Sequence, residues 1–186
     1  MSGTARWGLA VCAVLLLSWD VQAGPNDAAR LRAFEAQLEA NPSATAMLQS
    51  WCDAHARPST RIVARQVQPA PVPPPTAARQ ALKIKPGEAV RYRRVQLMCS
   101  GRVLSNADNW YLPGKLTDAM NDTLENTQIP FGRAVAALHF SRRNLSTAFL
   151  PPGGQDVLRH SALLTTDAGE KFSFVVETYT KEILGN

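Results

Sequence analysis

Two adjacent arginines in one apolar strand, and a glutamate late in another, are the residues of this sequence best suited to chemistry. In Tyr92-Arg93-Arg94-Val95-Gln96-Leu97-Met98, the alternation of a strand puts Arg93 and Arg94 on opposite faces. Whichever faces helices or a cavity needs an anion, because an unpaired buried charge is costly. A guanidinium is also the side chain best shaped to grip a carboxylate with two parallel hydrogen bonds. Glu177 follows the apolar run Phe172-Ser173-Phe174-Val175-Val176, and a carboxyl so placed can titrate high enough to serve as a general acid near neutral pH. The same residues also read more plainly, with Arg94 and Glu177 as an ion pair between strands or as side chains reaching solvent. A third feature is Thr127-Gln128-Ile129-Pro130-Phe131-Gly132-Arg133. There Gly132 allows a close backbone approach, and the turn's N–H groups can point at an anion. Its plain reading is a helix-to-strand connection.

Other chemistries find no motif. The sequence holds no Walker loop, GxGxxG, GxSxG or HExxH, which leaves phosphate cradles, dinucleotides and zincin-type hydrolysis without support. It has no CxxC pair, and His55, His139 and His160 lack ligand spacing, so no metal is expected.

The elements that must position these residues read as an α+β domain. Asn26 caps a helix over 27–40 with Leu31, Phe34 and Leu38 on one face, and Asn41-Pro42-Ser43 caps a second with Met47, Leu48 and Trp51. Strands are expected over 61–67, 89–99 and 103–112, the last two as a hairpin about Ser100-Gly101. Thr117 caps a helix carrying Leu116, Met120 and Leu124, and three more strands follow over 134–140, 158–166 and 172–180. Short turns between successive strands argue for a single antiparallel sheet with helices packed on it. Five prolines between Pro69 and Pro75 exclude a central strand and mark 69–80 as a Pro-rich loop within the domain.

Composition sets the frame. The 186 residues carry net charge +5, with 45% hydrophobic and 19% charged residues. That is one domain with a sizeable core, not a disordered tail or a disulfide-dense miniprotein. No basic run is interleaved with aromatics, so no nucleic-acid partner is expected. Residues 1–23 have the three parts of a signal peptide: Arg6, the apolar run Trp7 to Trp19, and Val21-Gln22-Ala23 before a cut at Gly24. The apolar run is too short to span a membrane comfortably. The expectation is therefore an exported, periplasmic or secreted, single domain over 24–186, without a stable membrane span after cleavage; the alternative is a chain anchored by an uncleaved signal. Cleavage leaves Cys52 and Cys99, which can pair in an oxidising compartment or stand as buried small hydrophobes.

Several pieces in order resemble the chorismate lyase (chorismate–pyruvate lyase) family. They are Arg94 with Cys99 five residues on, a hairpin ending at Pro113, Pro130-Phe131-Gly132-Arg133, and the late strand bearing Glu177. Leu104 to Pro113, Val157-Leu158-Arg159-His160 and Glu177-Thr178-Tyr179 add to the likeness, which covers about residues 42–184. The resemblance implies a monomer with one antiparallel sheet enclosing its ligand, and a reaction without cofactors that eliminates pyruvate from chorismate to leave 4-hydroxybenzoate, as in ubiquinone biosynthesis. It assigns Arg94 to the substrate carboxylate, Glu177 to the general acid, and the backbone at Phe131 and Gly132 to ligand binding. Ala44 stands where the family has a larger apolar residue touching the ligand. The partner implied is a small aromatic or enolpyruvyl carboxylate. Export sits against the cytosolic location of chorismate, so an exported binding module for an aromatic carboxylate, without catalysis, is the alternative. A structural protein of the cell envelope is a third.

Overall fold

A computed structural model describes residues 25–67 and 70–185; the expected signal peptide and Cys12 lie outside them. In chain order the helices and strands are α1 (Pro25–Ala40), α2 (Ala44–His55), β1 (Val63–Gln66), α3 (Thr76–Leu82), β2 (Arg91–Cys99), β3 (Arg102–Tyr111), α4 (Asp118–Asn126), α5 (Phe131–Ala134), β4 (Ser141–Phe149), β5 (Asp156–Thr165) and β6 (Lys171–Thr180). The strands form one antiparallel sheet in the order β1-β2-β3-β6-β5-β4. This is the α+β architecture expected from the sequence. Among the described residues no helix is long and apolar enough to cross a membrane.

Local sequence explains most boundaries. The Ser43 hydroxyl accepts from Ala46 N–H and starts α2, and the Thr117 hydroxyl accepts from Met120 N–H and starts α4. The β2–β3 hairpin turns through Ser100 and Gly101 with φ of 49° and 81°, the left-handed pair that matches the twist of two-residue hairpins. Helix α1 starts at Pro25, ahead of the expected Asn26 cap, because proline loses nothing in a first turn whose N–H groups have no helical partner.

Two expectations need correction. Residues 134–140 are not a strand. They form the end of α5 and a short turn over Ala136–Leu138, closed by left-handed His139. The alanines there favour helical backbone, and only Val135 among them is fully buried. The strand is instead β4, an edge strand whose exposure alternates over Ser141 to Leu145 and is open from there to Phe149. The Pro-rich loop is likewise shorter than 69–80, since α3 begins at Thr76, with Pro75 fixing the extended entry.

The sheet's two faces are covered differently. On one, α1 and α2 bury Phe34, Leu38, Met47, Leu48 and Trp51 against Val95, Leu97, Val175 and Tyr179. On the other, α3 sets Ala78 and Leu82 against Trp110, Leu163 and Phe174. Trp110 Nε1 donates to Val72 O at 2.9 Å, which ties the proline stretch down as a strap. Cys52 of α2 and Cys99 at the end of β2 are bonded, with both residues fully buried.

That disulfide links positions 47 residues apart, so chain-entropy arguments give it about 4 kcal/mol. We expect Cys52→Ala/Cys99→Ala to lower the urea midpoint by an amount equivalent to about 4 kcal/mol, with the m-value rising as the unfolded chain expands.

Candidate functional site

Strand register lays the site out in rows. Val95, Ala107, Glu177 and His160 stand opposite one another across β2, β3, β6 and β5 on the helix-covered face of α1 and α2. The neighbouring row on that face is Arg93, Asn109, Val175, Ala162. A cavity of about 50 Å³ opens over these rows, lined among others by Arg93, Asn109, Arg142 and Glu177. Its roof is Ala44 with Ser43 and Thr45 at the start of α2, and Phe131 and Gly132 of α5.

Four of the five residues expected at the site therefore line the cavity: Ala44, Phe131, Gly132 and Glu177. Arg94 does not. It lies on the opposite face, its side chain 43% exposed, with Nε 3.7 Å from Asp108. There Tyr92 Oη donates to Asp108 Oδ1 at 2.5 Å, and burial together with that carboxylate pushes the Tyr92 phenol up to about 12. The inward arginine is Arg93, only 7% exposed. It shares strand parity with Val95, Leu97 and Cys99, all buried. That parity is legible in the sequence, whereas the resemblance to the chorismate lyase family implies the neighbouring Arg94.

Arg93 is held by backbone. Its Nε donates to Leu124 O at 3.0 Å, and Nη2 donates to Ile129 O at 3.2 Å and Thr127 O at 3.5 Å. These carbonyls end α4 and begin the connection to α5, and a cation there also meets the negative end of the helix dipole. Nη1 takes part in none of these bonds. Burial lowers the Arg93 pKa from its ordinary value, yet a guanidinium remains charged.

Glu177 is paired with a residue that sequence reasoning did not single out. Arg142 Nη2 donates to Glu177 Oε2 at 2.7 Å, with the two side chains 2% and 7% exposed. Tyr179 Oη donates to the same oxygen at 3.0 Å, and the Arg142 Nη1 group donates to Asn144 Oδ1. Burial works against the Arg142 cation, but the Glu177 carboxylate, by its charge and its hydrogen bond, outweighs it and holds the Arg142 pKa above the ordinary value. Its Nε is buried with no hydrogen-bond partner. The cavity therefore contains two guanidinium groups to one carboxylate. Among groups that recognise small molecules, a carboxylate is the natural complement to that balance.

His160 lies behind Glu177, fully buried, with neither ring nitrogen hydrogen-bonded. Its Nε2 stands 4.0 Å from Glu35 of α1. Gly132 sits tight against α2, where a Cβ would come within 2.9 Å of Ser43 Oγ and 3.1 Å of Thr45 Oγ1. A side chain at this position would push the roof of the cavity open.

No family model matches the chain. An alignment of 177 positions is 41% identical to the uncharacterized protein y4mC of Sinorhizobium fredii, covering 83% of this chain and 75% of that one. Among solved structures, the effector domain of PhnF from Mycobacterium smegmatis superposes with a TM-score of 0.55 at 10% identity, over 76% of this chain and 90% of the domain. A second PhnF structure gives 0.54 at 10% identity over 75% of this chain, and YydK from Bacillus subtilis 0.48 at 13% over 66%. The chain spans 64% and 58% of those two proteins, less than two thirds of either. The likeness to PhnF is one of fold. It is the effector-domain fold of GntR-family transcriptional regulators, which resembles that of chorismate lyase.

The environment of His160 sets a pH dependence. Burial, then the nearby Arg142 cation, lower its pKa below 6.5, while Glu177 and Glu39 act in the opposite sense. Below about pH 6.5 the unfolded chain therefore binds a proton that the folded chain resists. Stability from this residue is complete above that pH and falls as the pH drops, by at most about 1.4 kcal/mol per unit. Urea midpoints between pH 5 and 8 should show this slope, and His160→Leu should flatten it. An equally steep slope in the variant would assign the effect to other groups.

Proposed function

This chain belongs to the family of the Sinorhizobium fredii protein y4mC, and we propose that its members bind a small aromatic or enolpyruvyl carboxylate in the cavity beneath α2 and α5. One observation carries the reading: two buried arginines face the cavity against a single carboxylate, and Arg142 Nε has no partner. A buried guanidinium N–H without an acceptor is costly, and a ligand carboxylate removes that cost. Arg93, rather than Arg94, is the second cation of the site, with its Nη1 outside the bonds that hold the group in place. Apolar Ala44, Val95, Phe131 and Val175 suit the ring or the enolpyruvyl group of such a ligand. The buried Cys52–Cys99 disulfide supports the export expected from residues 1–23, because such bonds persist in oxidising compartments.

Turnover is a second reading, favoured by the presence of Glu177 in the cavity beside both arginines. In it the ring–oxygen bond of chorismate breaks, the ring loses a proton as it aromatises, and the departing enolpyruvyl oxygen gains one and leaves as pyruvate. Glu177 is the group on hand to exchange that proton, and the arginines hold the dianion. Its engagement by Arg142 and Tyr179 through Oε2 makes binding without turnover the better-supported of the two. Glu177 accepts in both of those bonds, whereas a general acid must donate.

The full chain, mixed with 4-hydroxybenzoate at a hundred times its Kd, should gain about 2.7 kcal/mol of stability. Arg93→Gln should lose that gain and Arg94→Gln should keep it, with unliganded melting curves showing that both are folded. Gain retained in Arg93→Gln would refute the assignment. Incubation with chorismate decides between the readings. Equal amounts of pyruvate and 4-hydroxybenzoate, lost in folded Glu177→Gln, establish a lyase; no product alongside ligand stabilisation establishes a binding protein.

A further inference from the structure

The cavity is small for an aromatic acid. Its 50 Å³ compares with roughly 150 Å³ for an engineered apolar cavity that holds benzene. Beside it, on the outer side of α2 and α5, lies a groove of about 350 Å³. The two share their walls, since Ser43, Thr45, Gly132 and Phe140 line both. Among these shared walls, the hydroxyls of Ser43 and Thr45 close against Gly132.

Their chemistry differs. The cavity holds Arg93, Arg142 and Glu177. The groove has no carboxylate, and it offers Pro42, Ala46 and Ala136 beside Phe140. Its one arginine, Arg133, donates to Gln49 Oε1 at 3.3 Å. A ligand lying across the seam would thus have its anionic end inside and an apolar end outside.

We propose that cavity and groove are two halves of one binding site, and that its ligand is an aromatic carboxylate extended opposite the carboxylate by an apolar tail, which passes between α2 and α5 into the groove. The inference rests on the carboxylate-binding reading of the cavity and adds to it the direction and class of the ligand. Ala46 and Ala136 become the positions that set specificity for the tail, because both are exposed and touch the groove without lining the cavity.

Calorimetric titration of the full chain with 4-hydroxybenzoate and with 4-butoxybenzoate tests this. Each buried methylene favours binding several-fold, so partial burial of the tail's three methylenes and its methyl should tighten Kd by about tenfold. Ala136→Trp and Ala46→Phe, which fill the groove, should each abolish that gain while leaving the Kd for 4-hydroxybenzoate unchanged. Normal binding of 4-hydroxybenzoate with no gain from the butoxy tail overturns the inference and leaves the cavity reading standing. A gain that survives in both variants overturns it as well, since the tail then lies elsewhere. If neither compound binds, the cavity reading fails and this one fails with it.

Discussion

A carboxylate on the covered face of an apolar sheet needs a cation beside it, and the pairing of Glu177 with Arg142 is the contact on which this domain turns. Removing one partner of such a pair leaves a buried charge uncompensated, at a cost of about 3–5 kcal/mol. The pair also has a mechanical effect. Glu177 sits on β6, in the middle of the sheet, while Arg142 sits on β4 at its edge. Most of β4 is exposed and contributes little to the core, so its placement depends on β5 and on this reach across it. The Tyr179 hydroxyl, buried beside Phe34 of α1, donates to the same carboxylate oxygen as Arg142. The ring of Phe34 packs on Tyr179 at 5.2 Å, which couples α1 to the charged cluster.

Arg93 plays a matching part at the other end. It provides positive charge at the cavity and joins β2 to the chain that follows α4. Leu124, Thr127 and Ile129 all present carbonyls to it, and α5 starts two residues after Ile129. The side chain that brings positive charge to the cavity therefore also holds the segment that roofs it, so charge and shape there are set together.

How far this could be read beforehand differs by element. The hairpin at Ser100-Gly101, the caps Ser43 and Thr117, and the strands holding Arg93 and Glu177 follow from local pattern, because each depends on turn chemistry or on alternation of apolar residues. The site roles of Glu177, Ala44, Phe131 and Gly132 come from the resemblance to the chorismate lyase family, since no local pattern marks them. The same resemblance points to Arg94, whereas the parity of Val95, Leu97 and Cys99 turns Arg93 inward. Arg142 carries no sequence signal because Ser141-Arg142-Arg143-Asn144 has no alternation of apolar residues to mark which side chain turns inward. Helix α3 was hidden by the prolines before it, which fix the entry of a helix as readily as they forbid a strand. The resemblance includes His160 but gives it no role, and its environment comes from Glu35, Arg142 and Glu177, which are remote in the chain.

The strand order has a consequence for how the molecule is made. Strand β6 lies between β3 and β5, yet it is the last of the six strands in the chain. Until it arrives, the sheet exists as two separate pieces, β1-β2-β3 and β4-β5, with no hydrogen bond between them. During synthesis from the N-terminus these pieces must wait with open inner edges, and an unpaired strand edge is a template for pairing with another chain. The segment that closes this gap is the one that carries Glu177. Assembly of the sheet and assembly of the charged pocket are thus one late event, and an interrupted chain yields neither.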